Sequence, residues 1–402
     1  MPLKIKRPSI NKKLAVLAIT HFLNDLHGTF LATFIPLIVG RLGISYAQAG
    51  LLKSLSGVIH MVVQPMAGYA SDLFSRPYAI IIGPILTAIG ASMLPLAPTY
   101  GTALIFVGLW GFGSAVYHPL GYGSVGYVGN PDKLAFFIAI FSVGGILGST
   151  LSPLYAILLL KTFGTGLLLP VAALVPVIAG AWLVIRFVPT LRAEGSVERP
   201  SPRGFFRSFR NTFKVIFPIW IVCVCRDTAA EGIRFFLPLL IASRGGSIIN
   251  IGTVLFWIST AGTISPMLGG RLADRFGTRK VIEIAMAIAP FFLVPAALTS
   301  GIPSIILYMA GDALLHAILP VTGAAALKMV PGARSTAASM VTGLSFGLAG
   351  LLIAPIGAMA DSFGLTWVLV FVGILPILPM PIFWTMWKEQ KQGDRHQDTE
   401  KP

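Results

Sequence analysis

Long apolar stretches separated by short polar turns run through nearly the whole of this 402-residue chain. A helix needs about 20 apolar residues to cross a ~30 Å hydrocarbon core. Twelve stretches approach or exceed that length: 14–38, 47–70, 78–97, 101–126, 134–160, 166–189, 214–242, 248–270, 280–299, 302–328, 335–359 and 364–387. The pattern predicts an all-α integral membrane protein of about twelve transmembrane helices. Landmark residues also recur 202 positions apart: Asp25 and Asp227, Pro36-Leu37 and Pro238-Leu239, Gly50 and Gly252, Gly68 and Gly270, Asp72 and Asp274. Gly145, Gly148 and Pro153 recur in the same way as Gly347, Gly350 and Pro355. Duplicated helix bundles build many secondary transporters, with the binding site where the repeats meet. The predicted division is a six-helix bundle over 1–189, a cytoplasmic linker over 190–213, a pseudo-symmetric six-helix bundle over 214–387 and a cytoplasmic tail over 388–402.

Few polar residues interrupt the apolar runs, and an ionisable group inside a membrane is a functional candidate because its burial is costly. Span 1 carries His21, Asn24 and Asp25, and span 4 carries His118. Span 7 carries Arg226, Asp227, Glu231 and Arg234, and span 10 carries Asp312 and His316. Spans 1, 4, 7 and 10 are corresponding helices of four three-helix units. His21, Asn24, Asp25 and Gly28 share one helix face, as do Asp227, Glu231 and Arg234, and Asp312 with His316. Such faces turn toward a watery interior rather than lipid. Two readings stay open: a substrate and proton pathway, or charge pairs that lock helices together, with Arg234 and Glu231 as one such pair. Lys53, His60 and Gln64 in span 2 and Glu283 near the inner end of span 9 stand outside the pattern.

Composition agrees with a membrane protein, since the chain is 55% hydrophobic and 11% charged, against about a quarter charged in soluble domains. Its net charge of +15 comes from 30 Lys and Arg against 15 Asp and Glu. Of those 30, 24 fall on one alternate set of connections and the termini. Arg41, Lys161 and Arg244 fall on the other set, and Lys53, Arg226 and Arg234 lie within spans. This asymmetry predicts a multi-pass protein of the cell (inner) membrane with both termini cytoplasmic. It argues against nucleic acid as a partner. Span 1 lacks a small-residue cleavage site and is predicted to be an uncleaved helix. In the linker, Phe205, Phe206 and Phe209 interleave with Arg203, Arg207 and Arg210, a pattern of either a solvated linker or a surface amphipathic helix. Cys223 and Cys225 read as packing residues.

No Walker loop, metal-spaced Cys/His cluster or nucleophile elbow is visible. The expectation is therefore a non-enzyme with no cofactor and no metal, and ATP is not its energy source. His118, ahead of Pro119, reads either as a proton relay or as a structural hydrogen-bonding residue. Gly144, Gly148 and Ser152 before Pro153, and Gly343, Gly347 and Gly350 before Pro355, are small-residue stripes that permit close helix approach.

Two loops carry a shared motif: Gly68-Tyr-Ala-Ser-Asp72-Leu-Phe-Ser-Arg76 and Gly270-Arg-Leu-Ala-Asp274-Arg275-Phe-Gly277-Thr-Arg279-Lys280. From the residues alone, the Asp is suited to cap a helix N-terminus and Gly277 to a tight reversal. They resemble the two copies of the cytoplasmic loop signature of the major facilitator superfamily, in which the loop is a conformational charge latch. The first copy departs from that signature at Ser75 and Pro77. His21-Phe-Leu-Asn-Asp25, Pro36-Leu37, Tyr117-His118-Pro119 and the run from Phe141 to Pro153 resemble the fosmidomycin-resistance branch. The span 5 stripe loosely resembles the superfamily's antiporter motif but departs at Ser152 and Ala156. The resemblance implies efflux of drugs or metabolites.

The combined expectation is proton-coupled export of a small drug-like or anionic metabolite by alternating access. Asp25 and Asp227 would exchange protons, while Arg226 and Arg234 would hold them ionised or bind an anionic substrate group. Proton-coupled uptake is the alternative within transport, and a membrane-embedded enzyme or receptor the alternative outside it. The expected partners are a small-molecule substrate, protons and the lipid bilayer, with the protein a monomer.

Overall fold

The computed structural model describes residues 12–71, 78–128, 134–188, 202–330, 337 and 340–386. The described secondary structure is helical, in twelve successive rods. Rod 1 consists of α1 (Lys12–Asp25) and α2 (Phe30–Leu42), and rods 2 to 4 are α3 (Tyr46–Ser71), α4 (Tyr78–Met93) and α5 (Tyr100–Val128). Rods 5 and 6 are α6 (Leu134–Phe163) and α7 (Leu168–Phe187). Rods 7 to 9 are α8 (Pro202–Ser243), α9 (Ile248–Phe276) and α10 (Thr278–Leu298). Rod 10 is α11 (Gly301–Ala317) with α12 (Leu319–Met329). Rod 11 opens with a π turn at Met340–Leu344 and continues as α13 (Ser345–Phe363). Rod 12 begins as α14 (Leu365–Ile374) and reaches Met386.

Nine segments among the described residues are long and apolar enough to cross a membrane, and Ile80–Leu96 is a shorter apolar helix. Rods 2 and 7 complete the predicted twelve. They fall outside the nine and carry Lys53, His60 and Gln64, and Arg226, Asp227, Glu231 and Arg234, residues that lower a helix's hydropathy. Helix α8 starts at Pro202, inside the predicted linker, and runs unbroken to Ser243. Proline suits a first turn, where a missing N–H leaves no bond unmade. Positions 190–201 of the linker and the tail from 388 lie outside the described residues.

Two rods are interrupted part-way. In rod 1 the helix stops after Asp25, and residues 26–29 form turns. The amide of Thr29 then donates to Ser152 Oγ of α6 at 3.0 Å, which satisfies one of the orphan donors at the start of α2. In rod 10 the helix resets at Ile318, where Pro320 opens α12 without an N–H to offer.

The halves meet along two matching seams, rod 2 on rod 11 and rod 5 on rod 8. A Cβ on Gly50 would lie 2.6 Å from the Ile353 carbonyl oxygen, and one on Gly252 would lie 3.1 Å from the Pro153 carbonyl oxygen. The repeated glycines therefore make equivalent crossings. Gly57 faces Gly350 so closely that an added Cβ would sit 3.1 Å from the Gly350 Cα. Ser54 Oγ donates to the Gly350 carbonyl at 2.9 Å, and Thr150 and Thr263 hydroxyls meet at 2.9 Å. At the end of the bundle opposite Lys12 and Met386, Asp361 accepts from the amides of Tyr46 (2.7 Å) and Ala47 (2.9 Å). A carboxylate at a helix N-terminus is favoured by the helix dipole as well as by these bonds. Phe30, Phe34 and Ile38 of α2 belong to the same buried cluster as Ile233, Phe236 and Leu240 of α8. These contacts close the halves at that far end.

The rod 5 stripe does not lie on a seam between the halves. Gly144 and Gly148 pack against Ala18 and Phe22 of α1, which holds rods 1 and 5 of one half together. Gly347 and Gly350 in rod 11 instead cross to Met61 and Gly57 of rod 2. The repeated stripes thus serve different interfaces.

Candidate functional site

The polar residues of rods 1 and 4 converge on Asp25. His21 Nε2 lies 3.3 Å from Asp25 Oδ2 and His118 Nε2 lies 3.3 Å from Asp25 Oδ1. Asn24 donates its amide to Asp25 Oδ1 at 2.8 Å and accepts from Thr87 at 3.0 Å. His21 is anchored at its other nitrogen, where Nδ1 lies 2.8 Å from the Phe141 carbonyl, and its ring stacks on Phe141 at 4.2 Å. His118 Nδ1 likewise sits 2.8 Å from the Ser114 carbonyl, one turn back along α5. His21 and Asn24 are buried, so the shared helix face is mostly packed rather than wet. Asp25 and His118 keep part of their side-chain surface open.

The second half builds a different environment on the same scaffold. Arg226 occupies the position equivalent to Asn24, and it makes the same local contact with the aspartate that follows. Its Nε and Nη2 lie 2.8 and 2.7 Å from Asp227 Oδ1, and Nη1 donates to Thr322 at 2.9 Å. Ser345 of rod 11 donates to Asp227 Oδ2 at 2.8 Å. Each guanidinium nitrogen of Arg226 is engaged, and both groups are buried. Further along, Arg234 Nη2 pairs with Asp312 Oδ2 at 3.0 Å, and His316 Nδ1 approaches the same oxygen at 3.2 Å. Asp312 Oδ1 is buried with no hydrogen-bond partner among the described residues.

Glu231 does not pair with Arg234, which corrects that expectation. Its carboxylate reaches across to the other half, where Lys53 Nζ of rod 2 lies 2.6 Å away. Helix geometry explains the exchange. Arg234 is one turn past Glu231 and leans toward rod 10, whereas Glu231 faces the seam between the halves. Lys53, an outlier in the sequence pattern, is therefore the partner of a span 7 residue. His60 takes a structural place between the Ser56 carbonyl (2.8 Å) and Ser114 Oγ (3.2 Å).

The loop motifs are placed in part. Gly68 lies in α3, while Asp72 and Arg76 lie outside the described residues. In the second copy Gly277 has φ +91° and links α9 directly to α10, as a tight reversal requires. Gly270, Asp274 and Arg275 are all within α9, with Asp274 exposed near its C-terminal end. Asp274 is thus not an N-cap: that position before α10 belongs to Gly277. Arg279 instead pairs with Glu283 one turn on, at 2.6 Å.

Several of these contacts have no signal in the sequence. Ser152, Thr322 and Ser345 look like ordinary hydroxyls in apolar helices. Asp361 looks like a loop charge. Only the fold shows that each faces a specific partner.

Comparison with known proteins agrees with this architecture. The chain is 26% identical over 387 residues to the uncharacterized MFS-type transporter YfnC of Bacillus subtilis (strain 168), covering 92% of this chain and 91% of that one. It is 26% identical over 377 residues to the fosmidomycin resistance protein of Escherichia coli (strain K12), covering 91% of each. In fold it matches the crystal structure of a bacterial homologue of the human lysosomal transporter Spinster, in an inward-facing and occupied conformation. That match has a TM-score of 0.76 at 17% identity, over 93% of this chain and 96% of the other. The sequence profile of the Major Facilitator Superfamily matches residues 17–310 and again 219–402. With its duplicated six-helix plan, the chain is a multi-pass membrane transporter, not an enzyme, and it belongs to the Major Facilitator Superfamily.

Proposed function

We propose that this protein exports a small drug-like or anionic metabolite from the cytoplasm across a bacterial inner membrane, in exchange for protons. Both termini are assigned to the cytoplasm on the distribution of Lys and Arg. The observation that carries the coupling is the Lys53–Glu231 pair, 2.6 Å long, largely but not fully buried, and made of one residue from each half. It spans the seam that must part if the two halves rock.

Protonation of Glu231 removes its charge and releases Lys53, so the closed far end loses a tie when a proton arrives. The other ionisable groups facing Glu231 are Arg234 on its own helix and His316 from rod 10. Arg234 keeps part of its surface free and is the anion-binding candidate. Arg226 is committed to Asp227 and Thr322 and has a structural part. The resistance function named for the Escherichia coli relative supports export over uptake.

The test is a compound screen on vesicles that contain the purified protein and a trapped pH-sensitive dye. Exchange predicts that substrate movement one way drives proton movement the other way, whereas uptake by symport gives the same direction for both. Glu231→Gln should abolish substrate-driven proton movement while substrate still binds. Unchanged proton movement in Glu231→Gln removes the coupling assignment.

A further inference from the structure

With both imidazoles neutral, His21 and His118 present acceptor nitrogens to the Asp25 carboxylate, and a bound cation resolves that arrangement. Each imidazole places Nδ1 at 2.8 Å from a backbone carbonyl, Phe141 for His21 and Ser114 for His118. A carbonyl only accepts, so Nδ1 carries the hydrogen in both rings, and in the neutral ring Nε2 is a bare lone pair. Both Nε2 atoms face carboxylate oxygens of Asp25 at 3.3 Å.

Metal-bound histidines are oriented in this way, with the distal N–H given to a carbonyl. In a tetrahedral shell with bonds of about 2.0 Å, neighbouring ligand atoms stand roughly 3.3 Å apart. Each nitrogen stands at that spacing from one oxygen of the carboxylate, His21 from Oδ2 and His118 from Oδ1, and one donor atom from each residue lies within 4.8 Å of the others. The space beside them is kept open by Gly145. A Cβ there would lie 2.7 Å from Asp25 Oδ2 and would run into His21 Nε2. The side chains of Asp25 and His118 retain 15% and 25% of their exposure, which gives an ion a way in.

We propose that His21 Nε2, His118 Nε2 and the Asp25 carboxylate form a binding site for a divalent transition-metal ion of the zinc class. Three protein groups are ligands, and water takes a fourth position over Gly145. Two imidazoles and one carboxylate suit zinc-class ions better than Mg²⁺ or Ca²⁺, which prefer all-oxygen shells. Asn24 supports the site by fixing Asp25 Oδ1 at 2.8 Å. The site joins α1 to α5 within one half, so it is independent of the Lys53–Glu231 tie. The comparable Asp312–His316 pair is not such a site, because the Arg234 guanidinium already stands where the cation would be.

The experiment is titration of the tag-free, detergent-purified full chain with Co²⁺, read by visible absorption, followed by displacement with Zn²⁺. The expected result is one equivalent bound with the intense bands of a four- or five-coordinate ion, all displaced by Zn²⁺. His118→Gln and Asp25→Asn should lose those bands, while His60→Gln and His316→Gln retain them. Asn24→Ala should weaken binding about 10–100-fold, as loss of a supporting partner does. X-ray absorption on the Zn²⁺-loaded wild type should count two imidazoles and one carboxylate, which keeps the test decisive if a variant fails to fold. A Co²⁺ spectrum that stays that of the free aquo ion, bands that persist in His118→Gln, or a shell without imidazole would each overturn the proposal.

Discussion

Removing one member of the Lys53–Glu231 pair should open the far end of the bundle, and removing both should largely close it again. The two groups lie 2.6 Å apart, with 15% and 13% of their side chains exposed. At an effective dielectric of about 20, the Coulomb attraction at that distance is about 6 kcal/mol. Desolvation of both charges takes back most of this gain, yet loss of one partner alone costs about 3–5 kcal/mol because a bare charge stays buried. In Lys53→Met or Glu231→Gln the stranded group is relieved when the seam parts and water enters. A cost of about 3 kcal/mol shifts the balance between closed and open by roughly 100-fold. The double variant strands no charge, and its balance should return near that of wild type. The assay is the distance between spin labels at Gln48 and Ser362, exposed positions on opposite sides of the far-end seam, in a background without Cys223 and Cys225. Single variants should populate a longer distance that the double variant lacks. Single variants with the wild-type distance distribution, or a double variant as open as the singles, would refute the reasoning.

Two further outcomes follow from the same seam. Asp361→Ala removes the acceptor for the Tyr46 and Ala47 amides; it should cost about 1–2 kcal/mol of far-end closure, seen as a partial shift in the same label distances. Gly57→Leu forces a side chain into the Gly350 backbone and should prevent closure altogether, leaving a folded protein that binds but does not turn over substrate in vesicles.

Much of the architecture is legible in the sequence because a bilayer leaves few solutions. Helices of membrane length are required by backbone hydrogen bonding, so apolar run lengths predict rods directly, including rod 3, whose apolar core is short. The clustering of ionisable residues on rods 1, 4, 7 and 10 is equally readable, since helix periodicity fixes which of them share a face. Pairing is another matter. Glu231 and Arg234 are one turn apart and look like partners, but lateral packing decides which neighbouring rod each one meets. Lys53 and Glu231 are brought together by the contact between halves, which no local pattern encodes. His118 joins His21 and Asp25 through packing within one half: an i, i+4 pair on one helix is visible, and a third group from another helix is not. Asp274 shows the reverse error, a residue with the chemistry of a cap that stays inside α9, short of the cap position at Gly277.

The approach of Gly57 to Gly350 also limits how the molecule can move. Where two backbones touch with no side chains between them, no soft layer exists that can stretch by degrees. A small separation forfeits the attraction over the whole line of contact, and the Ser54 bonds go with it. The seam therefore behaves as a switch with two settings rather than as a spring. A single-molecule record of the distance across it should show abrupt jumps between two levels, with dwell times rather than amplitudes responding to substrate.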